Sequence, residues 1–562
     1  MKKNLPLYEV RKINDLKDMF AQSVRLYGEN TAFMVKENPA EPYTSVTYNQ
    51  YNSDVNSLGT ALIELGLSGQ RIAIIGKTRY EWYVSYMSVV TGVGVVVPID
   101  KELPQNEIKS LLGRSHASAV IFSKEHREAI LEIKSELPEL KFLIDMDQEE
   151  AEDNILSYSI LKAKGSDMLS AGNTKFTSAL IDPNVMGILL FTSGTTAESK
   201  AVMLSHHNVA YNLESMCSML LVTPKDVFLS VLPLHHTYEC TCGFLCQIYR
   251  GCCIAICEGL RYILKNIQEA RPTMMNVVPL MVESFYKKIF ARENVKKLGI
   301  GLTLSNSLRL IGIDRRRKIF SQVHEKFGGR LRILISGGAP INSHMLKNLQ
   351  DLGLACVQGY GLTECAPILA LNRDVYFKNE SAGLPLPGVD VKIIDKDADG
   401  IGEIIAKGEN VMLGYYENEE ATSEAIIDGY FHTGDLGYID KDGFIIITGR
   451  KKNVIIAKNG KNVFPEEIES LLSHSDYIIE SVVYGREDAF GDVEVCAKIF
   501  PDFELLKSEF GENFDARGII SEEVKKVNAL LVNYKHIHYF EVSDVEFEKT
   551  TSKKIKRSAI TA

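Results

Sequence analysis

A loop of small hydroxyl and glycine residues closed by one lysine stands in "LLFTSGTTAESKAVMLSH": Thr192, Ser193, Gly194, Thr195 and Thr196, then Lys200. Backbone N–H groups of a glycine-containing turn and Ser/Thr hydroxyls donate to phosphate oxygens, and a lysine adds the opposite charge. The apolar run before it, residues 185–191, reads as a short buried strand. That sets the loop at a strand's carboxyl end, where open α/β sheets place ligands. A nucleoside triphosphate is the ligand this chemistry points to. It is not held as in a Walker A loop, which needs glycine before the lysine and Ser/Thr after it; here Ser199 precedes Lys200 and Ala201 follows. A solvated Ser/Thr turn has the same composition, so the loop alone leaves both readings open.

Four further stretches carry residues of the same kind. "QGYGLTE" offers Gly359, Tyr360, Gly361, Thr363 and Glu364, and "DGYFHTGDLG" isolates Asp435 in a glycine turn. "TGRKKNVIIAKNGKNVFPEEIE" contains Arg450 and the pair Lys451-Lys452, and "EKTTSKKIKR" is a basic, hydroxyl-rich element near the C-terminus. Singly, each has an ordinary explanation: a core tyrosine, a turn aspartate, a solvated basic face.

Together, in this order and spacing, the five stretches resemble the motifs of the adenylate-forming (ANL) superfamily, and the resemblance spans nearly the whole chain. Within it the chain is most similar to AMP-forming long-chain fatty acyl-CoA synthetases, through "LPLHHTYE" and "GKNVFPEEIE". The resemblance implies that the 192–200 loop grips the β- and γ-phosphates of ATP. Ala197, Ser199 and Ala201 stand where the family usually has glycine, proline and glycine. It implies that Tyr360 lies against adenine, with Gly337, Gly338, Ala339 and Pro340 of "SGGAP" as the other wall. Thr363 would bond the α-phosphate, Glu364 would hold Mg²⁺, Asp435 would accept both ribose hydroxyls, and Arg450 would assist there. Lys554 matches the family's C-terminal lysine, with Lys553 in place of the usual glycine, and Lys452 matches the hinge.

For the acid, the resemblance places His236 and Tyr238 of "LPLHHTYE" at the acyl pocket; His235 and His236 also read as a hydrogen-bonding pair at a helix start. No Phe-Asp pair of the kind that holds an amino group occurs in this region, and residues 241–256 are rich in Cys, Gly, Leu and Phe, suited to an apolar tunnel. The chain ends soon after Lys554, leaving no room for a fused carrier domain, so coenzyme A is the expected acceptor. The implied activity is ATP-dependent, AMP-forming ligation of a medium- or long-chain fatty acid to coenzyme A. One alternative is a fatty acyl-AMP ligase that loads an acyl carrier protein. Another is a catalytically weakened nucleotide- or acyl-binding regulator.

The elements that must position these residues alternate. "YNQYNSDVNSLGTALIELGL" has helical spacing, and "RIAIIG", "GVGVVVPID", "ASAVIFS" and "KFLID" read as strands; the alternation returns in "DVFLSVLPL", "CCIAIC", "MMNVVP" and "RILISGG". This is the pattern of doubly wound, mainly parallel sheets. Residues 151–183 are polar and weakly patterned and read as a connection. Past Gly383 short strands and tight turns suggest antiparallel or barrel-like structure. The expected fold is α/β: a large N-terminal domain of doubly wound sheets plus a distorted β-barrel (residues 1–448), and a small mobile α+β C-terminal domain (residues 449–562) hinged near Lys452.

At 562 residues the chain is too long for one core, and its 45% hydrophobic and 24% charged content are ordinary globular values. A net charge of −10 argues against a protein that coats nucleic acid or an anionic membrane, with local basic patches left open. Neither a signal peptide's apolar segment nor a run of about 18 apolar residues occurs, so a cytoplasmic protein is expected, with peripheral membrane contact left open. Six of the ten cysteines lie in residues 240–257 without paired CxxC spacing and read as buried hydrophobes rather than metal ligands.

Overall fold

The computed structural model describes residues 5–150, 154–192, 199–290, 292–457, 461–487, 493–549, 555–557 and 560. The chain forms two compact units. One comprises the described residues up to 192, with 199–390 and 407–426; the other comprises 391–406 and the described residues from 427 onward.

Among the described residues the first unit holds an eight-stranded and a nine-stranded sheet. In the eight-stranded sheet, Val95–Ile99, Arg71–Ile75, Ala119–Phe122 and Phe142–Asp145 run parallel side by side. These are runs of Val, Ile, Ala and Phe buried on both faces, as parallel strands under helices are. The preceding helix Tyr48–Glu64 starts at a capping box in which Thr47 and Gln50 exchange side-chain-to-backbone hydrogen bonds. Residues 151–183 are not a plain connection: Ser157 caps a helix, Tyr158–Ser170, which buries Tyr158, Leu161 and Gly165. So few apolar positions give almost no periodic signal, and packing rather than pattern makes the helix.

In the nine-stranded sheet, Val227–Ser230, Met274–Val277, Ile333–Ser336 and Ala355–Gly361 are parallel neighbours. Ala355–Gly361 then pairs antiparallel with Ile368–Leu371. A core including Leu229, Met275, Leu334, Leu346 and Cys356 fills the space between this sheet and its helices.

The second unit contains, among the described residues, a five-stranded sheet whose longer members Gly402–Lys407, Tyr430–Ile439 and Ile445–Arg450 are antiparallel. A small α+β body follows: strands Ile478–Glu487, Val493–Pro501 and Tyr539–Val542 with helices Pro465–Leu472 and Ala516–Asn528. Its core joins Val463, Ile468, Val483, Ile499 and Ile520. Among the described residues no helix is long and apolar enough to cross a membrane.

Candidate active site

Strands Ile333–Ser336 and Ala355–Gly361 are parallel and in register, Ser336 opposite Gln358, so "GGAP" and "GYGLTE" leave the same edge of the sheet side by side. That edge is the carboxyl end. The half-buried Tyr238 ring packs against Gly337, where a Cβ would come within 2.9 Å of it, and its hydroxyl donates to the Ile335 carbonyl at 2.7 Å. Tyr238, Gly337–Pro340 and the last strand residues Gly359–Tyr360–Gly361 are therefore brought together at one sheet edge. Gly361 is required where it stands: a Cβ there would meet the Pro367 carbonyl oxygen at 1.9 Å.

Beyond Gly361 the chain makes a short 3-10 turn, Thr363–Cys365, with Thr363 and Glu364 half-buried. Two buried asparagines hold this turn. Asn212 donates to the carbonyls of Cys365 and Ile368 at 3.2 and 2.8 Å, and Asn410 to the same pair at 3.1 and 3.0 Å.

The loop follows strand Met186–Phe191, as its apolar run predicts, but Ala201–Ser205 returns antiparallel. The loop therefore closes a hairpin and does not open a helix, a second departure from the Walker arrangement. At its two ends the Thr192 N–H and hydroxyl both reach the Lys200 carbonyl, at 2.9 and 3.3 Å. Arg114 donates to the Ser199 carbonyl at 2.6 Å. Ser193, Gly194, Thr195 and Thr196 lie outside the described residues.

Lys200 and Glu364 share a partner. The Lys200 ammonium sits 4.6 Å from the centre of the Tyr415 ring, and the Tyr415 hydroxyl donates to Glu364 Oε1 at 2.9 Å. Tyr415 comes from the short strand Gly414–Tyr415, which pairs with Val202 and Met203 just past the loop. Burial and the adjacent Glu364 both push the tyrosine's pKa up, so the hydroxyl stays a donor. Among the described residues no group of three or more His, Cys, Asp or Glu could hold a metal. One carboxylate nonetheless suits Mg²⁺, which keeps waters and phosphate oxygens as most of its ligands.

His235 and His236 bond to each other, Nε2 to Nε2, at 3.1 Å, and His235 Nε2 lies 3.4 Å from Asp100 Oδ2. Burial and the neighbouring His236 hold His235 well below its ordinary pKa, against the pull of Asp100. Next to Tyr238, Glu239 is fully buried. Ser230 donates to its Oε1 at 2.6 Å and Asn276 to its Oε2 at 3.3 Å. Burial nevertheless dominates and raises its pKa to about 8.

In the second unit Asp435 and Arg450 oppose each other across the antiparallel ladder, with Arg450 Nε 2.9 Å from Asp435 Oδ1. Asp435 is 4% exposed. Lys451 pairs with Glu403 at 2.8 Å. Lys452 is exposed in a 3-10 turn, Lys451–Asn453, and partial desolvation and Arg450 lower its pKa while Asp435 opposes the shift. Lys554 lies outside the described residues.

A family model described as "AMP-binding enzyme" matches residues 20–416. The chain belongs to the AMP-binding enzyme family. Among curated relatives, this AMP-binding enzyme is similar to long-chain-fatty-acid–CoA ligase 1 of Cavia porcellus, 28% identical over 89% of this chain and 76% of that protein. It is also similar to long-chain-fatty-acid–CoA ligase FadD15 of Mycobacterium bovis, 27% identical over 92% and 90%. Among solved structures it shares its fold with the anthranilate CoA ligase AuaEII in complex with anthranoyl-AMP, at 21% identity, TM-score 0.79, covering 100% of this chain and 98% of that one. ATP-bound MatB from Rhodopseudomonas palustris aligns at 24% identity and TM-score 0.76, covering 97% and 98%.

In this AMP-binding enzyme, sequence reasoning passed over Tyr415, Asp100, Asn212, Asn410 and Glu239. Tyr415 sits in "GYYENEE", and a glycine–aromatic pair between two strands is the one signal that could have drawn attention to it. The asparagines and Asp100 carry no motif; each acts across more than a hundred residues or from a separate element.

Proposed function

We propose that this protein ligates a medium- or long-chain fatty acid to coenzyme A, using ATP, releasing AMP and pyrophosphate, and passing through an acyl-adenylate. One observation carries the reading: Gly337–Pro340 and Gly359–Glu364 leave neighbouring parallel strands together, and Glu364 is joined through Tyr415 to the lysine that closes the Ser/Thr loop. The similarity to relatives named long-chain-fatty-acid–CoA ligases supports the choice of acid.

In this reading Tyr360 stacks on adenine opposite Gly338, Ala339 and Pro340. Asp435 accepts from the two ribose hydroxyls, which suits a carboxylate with two acceptor oxygens, and Arg450 orients it. Thr192, Ser193, Gly194, Thr195, Thr196 and Lys200 hold the β- and γ-phosphates, and Thr363 donates to the α-phosphate. Glu364 would hold Mg²⁺, which supplies charge neutralisation on the phosphate oxygens. A carboxylate oxygen of the fatty acid attacks the α-phosphorus, an O–P bond forms, and the bond to pyrophosphate breaks. No general base is needed, because the acid is already ionised at neutral pH. Lys554 stabilises the charge that builds on the α-phosphate. In the second step the coenzyme A sulfur, having given up its proton, attacks the acyl carbon and AMP leaves with the bonding electrons. His236 and Tyr238 line the acyl pocket.

The test is pyrophosphate release from ATP across straight-chain acids of increasing length, with coenzyme A and with acyl carrier protein as acceptors. Release confined to the longer acids, with turnover on coenzyme A, is the expected result; turnover on carrier protein alone, or no release with any acid, overturns the reading. Lys554→Ala should abolish acyl-adenylate formation yet leave thioester formation from supplied acyl-adenylate largely intact. Equal loss of both half-reactions would remove Lys554 from its role, and selective loss in Lys553→Ala would move that role by one residue.

A further inference from the structure

The helix Arg292–Leu310 carries large aliphatic side chains on two opposite faces. On one, Leu298 and Leu302 pack with Ile319 and Phe320 into the core of the first unit. On the other, Ile300 and Leu304 are 74% and 53% exposed, and the following residues add Leu310 at 88% and Ile311 at 70%. At 100° per residue, positions 300 and 304 fall on one stripe, turned well away from 298 and 302, and Ile311 follows in the turn after the helix. The protein buries the leucines of one face and leaves the aliphatic side chains of the other exposed.

The charge around the outer stripe is mainly positive. Residues 297–318 contain six Lys or Arg and one Asp, a local net charge of +5 on a chain whose net charge is −10. Lys297, Arg309, Arg315, Arg317 and Lys318 are all exposed. Two of them have protein partners: Arg309 reaches Asp351 at 3.3 Å, and Arg317 donates to the carbonyls of Leu331 and Gly329 at 2.9 and 3.2 Å. Arg315 and Lys318 are therefore the cations to vary.

We propose that this face docks on an anionic lipid bilayer. Ile300, Leu304, Leu310 and Ile311 enter the boundary between headgroups and acyl chains, and the cations meet lipid phosphates. Exposed large aliphatic side chains with Lys and Arg close by are what interfacial binding uses: apolar burial holds the helix in the interface and charge draws it to anionic lipid. An acidic protein partner would answer the charge but would leave four aliphatic side chains unaccounted for. The docking stands apart from the proposed function, which supplies only its use, since a long-chain fatty acid partitions into bilayers.

The test is co-sedimentation of the full chain with vesicles of phosphatidylcholine and phosphatidylglycerol, against vesicles of phosphatidylcholine alone. Binding to the mixed vesicles, weakened by high salt and several-fold lower on the neutral ones, is expected. Ile300→Glu with Ile311→Glu, and separately Arg315→Glu with Lys318→Glu, should each lower the bound fraction roughly tenfold while pyrophosphate release from a longer fatty acid supplied on albumin, without vesicles, is unchanged. Absence of binding to the anionic vesicles overturns the proposal, as does binding that neither pair of substitutions reduces. Capture of an acidic acyl carrier protein by this face without vesicle binding overturns it too. Vesicle binding by a protein that releases no pyrophosphate with any acid would sink the ligase reading and leave the docking surface standing.

Discussion

Tyr415 serves two site residues by two different forces, and single substitutions can separate them. Its ring faces the Lys200 ammonium, an attraction worth about 0.5–1 kcal/mol at an accessible site. Its hydroxyl fixes one oxygen of Glu364, and a hydrogen bond to a charged group contributes about 1.5–3 kcal/mol, less where water can replace it. Tyr415→Phe keeps the ring and removes the hydroxyl. We expect it to raise the Mg²⁺ concentration for half-maximal pyrophosphate release roughly three- to tenfold, with little change in KM for ATP. Tyr415→Leu removes both and should add a roughly two- to fivefold rise in KM for ATP. Magnesium and ATP titrations of the two variants check this, and a lower or unaltered magnesium requirement in Tyr415→Phe would show that the hydroxyl does not orient Glu364 for the metal.

Between elements, Glu239 is the joint: it starts on the helical segment Tyr238–Leu245 and takes hydrogen bonds from strands Val227–Ser230 and Met274–Val277. Tyr83 extends the network by donating to Ser230 at 2.9 Å. The titratable groups around it, Tyr83, Tyr238, Cys240, Cys242 and Cys257, are all held neutral by burial. Because burial raises the Glu239 pKa to about 8 from 4.5, the folded protein keeps a proton that the unfolded chain has lost between those values. Its contribution to stability is fully present below about 4.5 and is lost as pH rises through about 8, at up to about 1.4 kcal/mol per pH unit in between. Glu239→Gln does not titrate, so the difference in Tm between variant and parent should move in the variant's favour from pH 5 to 9, as thermal denaturation would record; parallel curves would show Glu239 ionised throughout. This joint was not legible in the sequence, whereas much around it was. "RIAIIG" and "QGYGLTE" carry their meaning in contiguous residues, because a strand's burial and a turn's glycines are local demands. The contacts of Glu239, Tyr415 and Asp100, and the helix Tyr158–Ser170, depend on which strands and helices become neighbours, and a weakly patterned segment says nothing of that. Asp435 and Arg450 fall between these cases: each was legible in its own motif, but their pairing came from the hairpin register.

For the molecule as a whole, the proposed chemistry sets a conflict: Lys554 must approach the α-phosphate in the first step, and a thiol must reach the acyl carbon in the second. A C-terminal domain that rotates between the half-reactions resolves it, with a few residues absorbing the change in φ and ψ. We place that change at Lys452. The residues before it are tied to the five-stranded sheet, Arg450 to Asp435 and Lys451 to Glu403. The residue after it is tied to the small α+β body, where Asn453 donates to Glu466 at 2.6 Å at the start of helix Pro465–Leu472. Arg557 is likewise bonded to Glu469 on that helix. Lys452 thus stands between two separately anchored stretches, where backbone rotation would disturb the fewest of these contacts. Proline fixes φ near −65°, so Lys452→Pro should restrict rotation while leaving every proposed substrate-contacting side chain in place. With the adenylating arrangement retained, single-turnover pyrophosphate release should stay within about threefold of the parent, while transfer of the acyl group to coenzyme A should slow roughly tenfold or more. Lys452→Ala, which removes the side chain but not the backbone freedom, should keep both half-reactions close to the parent's rates. Rapid-quench measurement of the two half-reactions separates these outcomes: equal rates for both steps in folded Lys452→Pro would put the hinge elsewhere, and equal slowing in Lys452→Ala would make the lysine's side chain, not its backbone, the part that matters.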